Sequence, residues 1–185
     1  MYILLLGICI FFGLHLVPSL VSYRCIIINK LGEGLYKGLY SVISLIGLVL
    51  IVYGKSIAGY YSIWEPPIWS KNVVVVIMLL AFYFFAAADL KSNIKRFIRH
   101  PMLLGVMLWS AAHLFANGDL ASILLFGAFF IFSLFGMLSA NKRGASTQKN
   151  KFPLAKDIVA VFAGLVAYGI FIKYLHPYLI GVPII

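Results

Sequence analysis

Residues 101–140 read PMLLGVMLWSAAHLFANGDLASILLFGAFFIFSLFGMLSA, and in this stretch Asp119 is the one formally charged side chain. Two apolar runs, Met102 to Ala116 and Leu120 to Ala140, flank Asn117-Gly118-Asp119. Each run approaches the roughly 20 residues that an α-helix needs to cross a hydrocarbon core. The connector is minimal: Asn-Gly accommodates positive φ, and Asp119 is suited to cap the helix that follows. The stretch therefore predicts two membrane helices packed side by side as an antiparallel hairpin.

Working outward, four more apolar windows have polar flanks: Tyr2 to Val21, Leu39 to Tyr53, Val73 to Ala88 and Ile158 to Leu175. The first can run on through Cys25 to Ile28, and the second can begin at Leu35. The chain has 185 residues, of which 63% are hydrophobic and 11% charged, against about 25% charged in soluble domains. That composition excludes a soluble globular domain and leaves no room for a sizeable extramembrane one. The expected fold is all-α: one polytopic transmembrane domain over residues 1–185, a bundle of about six helices.

The net charge is +10. Such an excess can suggest nucleic acid, but in a membrane protein it follows from insertion, because Lys and Arg concentrate in cytoplasmic loops; no nucleic-acid partner is expected. Twelve Lys and Arg lie in the linkers after spans one, three and five, whereas only Lys55 and Lys71 lie in those after spans two and four. This asymmetry places both termini outside the cytoplasm. Lys173, near the outer end of span six, can snorkel to the interface. Trp64 and Trp69 bracket a proline turn beside Tyr60 and Tyr61, an aromatic belt at the outer interface. Asn141 to Lys151 reads as a solvated loop and the first candidate for disorder. Cys9 and Cys25 on one continuous helix would stand about 24 Å apart, beyond disulfide reach. The apolar N-terminus has no basic region or cleavage signal of a secretory leader and is expected to be retained.

The candidates for chemistry are few. Glu33, Glu65, Asp89, Asp119 and Asp157 all fall at span ends or in loops, where a cap or loop charge explains each. No nucleophile triad, phosphate-binding glycine loop or zinc spacing is present. The four histidines, His15, His100, His113 and His176, lie within or at the ends of the spans. An imidazole facing lipid leaves its N–H unpaired, so each is expected to face the bundle interior. Any one of them can be a packing residue, but four together point to a haem, whose iron takes neutral imidazole as axial ligand.

Spacing narrows the pairs. His100 and His113 on one helix are separated by roughly 20 Å of rise and about 140° of rotation, too far to share an iron. Pro101 belongs in the first turn of its helix, which puts His100 at the cytoplasmic interface. His15 with His113 is a feasible cross-helix pair, and His113 with His176 is its rival. Arg24, Arg96 and Arg99 are cations available to haem propionates. Trp109, one turn before His113, can wall the pocket, and Gly105, Ser110, Ala111 and Ala112 allow close approach to that helix. Asn117 and Asp119 are further candidates beside it.

The chain resembles the NnrU family of bacterial membrane proteins, whose domain is shared with zeta-carotene isomerase. The resemblance rests on His15-Leu16-Val17-Pro18-Ser19 with Arg24, Gly32-Glu33 followed by Leu39-Tyr40-Ser41, Arg99-His100-Pro101-Met102, and Trp109 through His113-Leu114 to Asn117-Gly118-Asp119, with His176 near the end. It implies a multi-pass protein of the bacterial inner membrane, linked to nitrite and nitric oxide reduction (denitrification). It further implies haem b between two histidines, matching His15 and His113, with redox-dependent release of one ligand. By analogy with the isomerase it implies a small apolar substrate and an unidentified redox partner.

Arg99-His100-Pro101 followed by Gly105 also looks like the cofactor segment of membrane isoprenylcysteine and phospholipid methyltransferases. The glutamates that complete that site downstream are missing here. A third reading is a non-enzymatic assembly factor whose histidines serve packing.

Overall fold

A computed structural model describes residues 1–180. Its elements are α1 (Tyr2–Leu16), α2 (Val21–Leu31), α3 (Glu33–Ser56), α4 (Ser70–Asp89), α5 (Pro101–Ala116), α6 (Leu120–Lys142), α7 (Leu154–Ile170) and α8 (His176–Ile180). Single 3-10 turns occupy Val17–Ser19 and Asn93–Arg96, and a π-helical turn, Phe171–Leu175, joins α7 to α8. No strand occurs among the described residues; an isolated bridge pairs Ser62 with Asp119.

Five segments are long and apolar enough to cross a membrane: Tyr2–Ser19, Glu33–Ser56, Ser70–Asp89, Leu120–Lys142 and Leu154–Tyr178. Only 11 to 28% of each apolar window is buried within the protein. Apolar side chains turned outward at that level need an apolar solvent, so this is a membrane protein. The remaining expected segment, Met102 to Ala116, forms α5, a shorter apolar helix of 16 residues that rises about 24 Å.

The first span differs from its sequence expectation. Helix α1 stops at Leu16, and Pro18 sits in the following 3-10 turn. Proline lacks an N–H and its ring collides with the preceding turn, so the helix cannot run through it. The chain resumes as α2, which buries none of its residues. Cys9 and Cys25, both exposed free thiols, are thus on separate helices, and Arg24 does not lie below His15 on one continuous rod.

The chain divides into two compact units: Met1–Trp64 with Gly118–Ala128, and Glu65–Asn117 with Phe129–Ile185. In the first, α1 and α3 pack at unusually short range. A Cβ at Gly7 would stand 2.6 Å from the Ile51 nitrogen, and one at Gly54 would collide with the backbone of Leu4. Helices in lipid associate by such van der Waals contact, which small residues permit. The end of α3 is tied to the start of α6 through residues 61–63. Ile63 N–H donates to the Gly118 carbonyl at 2.8 Å, and Leu120 N–H to the Tyr61 carbonyl at 2.9 Å.

In the second unit α4 packs against both α5 and α7. A Cβ at Gly105 would come within 2.7 Å of the Phe85 ring, and one at Gly164 within 2.9 Å of Tyr83 Cα. Tyr168 Oη donates to the Val75 carbonyl at 3.0 Å. The expected hairpin of α5 and α6 forms. Gly136 faces Leu103, and the Trp109 and Phe129 rings meet edge to face at 5.0 Å, contacts that run in opposite directions along the two helices.

The connector between these helices departs from expectation in one respect. Asn117 has φ −127°, and among the described residues positive φ occurs only at Gly32 and Gly144. An extended path joins the helices because the backbone there pairs with residues 61–63. Capping by Asp119 is as expected: its Oδ1 accepts the Ser122 N–H at 3.0 Å.

Candidate functional site

His15 lies in the last turn of α1 and His113 in the last turn of α5. Each ring is fixed in the same way. His15 Nδ1 lies 2.7 Å from the Phe11 carbonyl, and His113 Nδ1 lies 2.8 Å from the Trp109 carbonyl, in both cases one turn back on the same helix. A carbonyl only accepts, so Nδ1 carries the proton in both rings and, in the neutral imidazole, Nε2 carries the lone pair. This is how metal-binding histidines are commonly oriented: the second nitrogen donates to a carbonyl and sets the tautomer.

The surroundings are aromatic. The His15 ring stacks on Phe11 at 4.1 Å and lies 5.4 Å from the Tyr40 ring. Trp109, read from the sequence as a pocket wall, has its ring 5.4 Å from that of His113 and also supplies the carbonyl that orients it. Asn117 Nδ2 donates to the His113 carbonyl at 2.8 Å, closing the end of α5. Asp119 is engaged by Lys55 Nζ at 2.8 Å and is a structural residue of the connector. Partial burial works against its charge, but the hydrogen bonds from Lys55 and Ser122 outweigh this and hold its carboxyl below the ordinary range.

The candidates fall into separate groups. His15 and Arg24 belong to the first unit; His100, Arg99, Trp109, His113 and His176 belong to the second. Arg24 is exposed on α2. His176 shares the second unit with His113. Among the described residues no group of three or more His, Cys, Asp or Glu converges as a metal site.

His100 is the residue before the first turn of α5, as Pro101 implied. Its Nε2 lies 2.9 Å from Asn141 Oδ1, which also accepts from Arg99 Nη1 at 2.7 Å. Arg99 and His100 border a cavity of about 470 Å³ whose other polar lining is Lys95, Ser146, Thr147 and Gln148. The lining contains no carboxylate, so the acidic complement that the methyltransferase resemblance calls for is not met there.

The loop bordering this cavity, expected to be disordered, is tied down. Gln148 N–H donates to the Lys95 carbonyl at 3.0 Å. Asn93 Nδ2 donates to the Phe152 carbonyl, and Phe152 N–H donates back to Asn93 Oδ1. Asp157 accepts from Ser92 Oγ, Asn93 N–H and Asn93 Nδ2. Composition suggested a free loop; the anchors are in Ser92-Asn93 and Asp157, more than fifty positions away in the first case, and no local pattern couples them.

A family model described as NnrU protein matches residues 3–184, nearly the whole chain. No curated protein and no solved structure matches it.

Proposed function

The chain belongs to the NnrU family, and from that premise we propose that it binds haem b through His15 and His113 and serves a redox function linked to nitrogen oxides in the bacterial inner membrane. One observation carries the reading: both imidazoles are held by Nδ1–H bonds to a carbonyl one turn back. On a helix Nδ1 is the ring nitrogen that reaches the carbonyl one turn back, so the local turn sets both rings to the tautomer in which Nε2 carries the lone pair. A shared tautomer that presents Nε2 is what a bis-histidine iron site requires.

The donor set suits a porphyrin. In the first unit the His15 imidazole lies beside Phe11 and Tyr40, and in the second the His113 imidazole lies beside Trp109, so each offers an aromatic surround of the kind a macrocycle packs against. Arg24 is the cation we assign to a propionate. Arg99 is held by Asn141 in the basic cavity and is assigned a separate role below. Haem b would be held by His15 and His113 and would supply a redox-active, Lewis-acidic iron, the chemistry that an isomerase-like reaction on an apolar substrate would draw on.

Protein purified from haem-replete cells should show a Soret band that shifts on reduction, and His15→Ala and His113→Ala should each abolish it while the chain stays folded. Full haem retention in both variants would remove the proposal. The charge asymmetry supports both termini outside the cytoplasm with six crossings; a cysteine placed at Ser146 should be shielded from impermeant maleimide in intact cells, and one at Ser62 labelled.

A further inference from the structure

The second unit has a basic end that the haem reading does not use. There Lys95, Arg99 and His100 surround the cavity of about 470 Å³ with Ser146, Thr147 and Gln148. We propose that this cavity binds a phosphate-type anion, carried either by an anionic phospholipid headgroup or by a soluble phosphate ester.

The first argument is charge. Two permanent cations and an imidazole share a lining without a carboxylate. Of the acids at this end, Asp157 has its oxygens taken by Ser92 and Asn93, and Asp89, the last residue of α4, is not part of the lining. Cations gathered without a counter-charge repel one another, and an anion relieves that repulsion.

The second argument is hydrogen-bond supply. Lys95 Nζ spends one proton on the Ala88 carbonyl at 2.6 Å and has two more to give. Ser146 and Thr147 add hydroxyls. Met102 and Leu103 also line the cavity, in the first turn of a helix whose N-cap side chain makes no capping bond. Their N–H groups belong to the set that an α-helix leaves without an internal acceptor, and anions bind there.

The third argument is preorganisation. Asn141 Oδ1 holds both Arg99 and His100, and Gln148 ties the loop to the Lys95 and Ser92 carbonyls. The polar loop is thus fixed against the cations before any ligand arrives, which lowers the ordering cost of binding. The ends of α4 and α6 border the same region, and basic pockets at helix ends are where headgroup phosphates are met.

The test takes the full chain, purified in zwitterionic detergent and stripped of lipid. Thermal unfolding is followed in sodium phosphate against sodium chloride of equal ionic strength. Native mass spectrometry then follows lipid retained from phosphatidylcholine vesicles with and without phosphatidylglycerol. The expected result is saturable stabilisation by phosphate, selective retention of phosphatidylglycerol, or both; phosphate alone identifies a soluble ester, and phosphatidylglycerol alone a lipid. Lys95→Gln with Arg99→Gln should weaken binding about tenfold or more, whereas Lys142→Gln with Arg143→Gln, which removes equal charge outside the lining, should not. If the first pair unfolds, Ser146→Ala with Thr147→Ala, which leaves charge unchanged, should weaken binding several-fold. Equal loss in both charge pairs, no effect of the hydroxyl pair, absence of saturable binding by either probe, or saturable binding of S-adenosylmethionine that phosphate does not compete would overturn the proposal.

Discussion

Lys55, in the last turn of α3, donates to Asp119 at 2.8 Å, and the same carboxylate oxygen accepts the Ser122 N–H at the start of α6. One carboxylate therefore closes an ion pair and caps a helix at once. The sequence assigned Lys55 to an ordinary linker and Asp119 to a cap; their pairing across 64 positions had no local signal.

Asp119→Ala should lower stability by about 1–3 kcal/mol, the cost of a lost cap and a broken charged hydrogen bond. Lys55 is a third exposed, so solvent screens the ionic part and the hydrogen bonds dominate. The Asp119 carboxyl titrates below its unfolded value. Its contribution is thus complete above the unfolded pKa of about 3.9 and is lost as pH falls through the lower folded value. Thermal unfolding of detergent-solubilised protein from pH 7 down to pH 3 should show that loss in the native chain and a flatter profile in Asp119→Asn.

The rival iron pair is separable from the proposed one. His176→Ala should keep the Soret band, because His176 is not an assigned ligand, whereas His113→Ala should lose it. Loss in His176→Ala and His113→Ala with retention in His15→Ala would move the site into the second unit.

Gly54→Ala should destabilise the α1–α3 pair by about 1–3 kcal/mol, the usual cost of overpacking, since the new methyl would meet the backbone of Leu4. Gly13→Ala is the matched control: its Cβ would meet nothing within 4 Å, and the better helix propensity of alanine should leave the helix unchanged or slightly more stable. Comparing unfolding midpoints of the two variants checks the contact.

Asp157→Ala should free the segment before α7, because three donors from Ser92 and Asn93 lose their acceptor. Trypsin should then cut faster at Arg143, Lys149 and Lys151, with circular dichroism of the helices unchanged.

Much of the helix inventory was readable because each span is a long apolar run bounded by charge or proline. The His100-Pro101 start of α5 and the Asp119 cap were readable because their side-chain chemistry acts within one turn. The break after Leu16 was marked by Pro18, yet the apolar residues on both sides masked it; proline geometry outweighed hydrophobicity. The fixed loop and the basic cavity were not readable, since both depend on partners such as Asn93 with Phe152 and Arg99 with Asn141 that only tertiary folding brings together. The histidines were visible as residues, but their common Nδ1 bond was not, because a ring's rotamer is set by the turn beneath it.

The π-helical turn Phe171–Leu175 also changes how the end of the chain is read. In a straight α-helix, residues five apart are turned about 140° from each other, yet the Phe171 and His176 rings lie 6.2 Å apart. The wider turn absorbs one extra residue and so shifts the phase of everything after it. Phe171 also meets Phe82 of α4 at 5.4 Å, so His176 inherits the face that Phe171 shows to α4. Removing one residue from this turn would restore the ordinary winding and swing His176 through about 100° without altering any side chain on α7. Insertions and deletions at this point therefore act as a rotary setting for that imidazole.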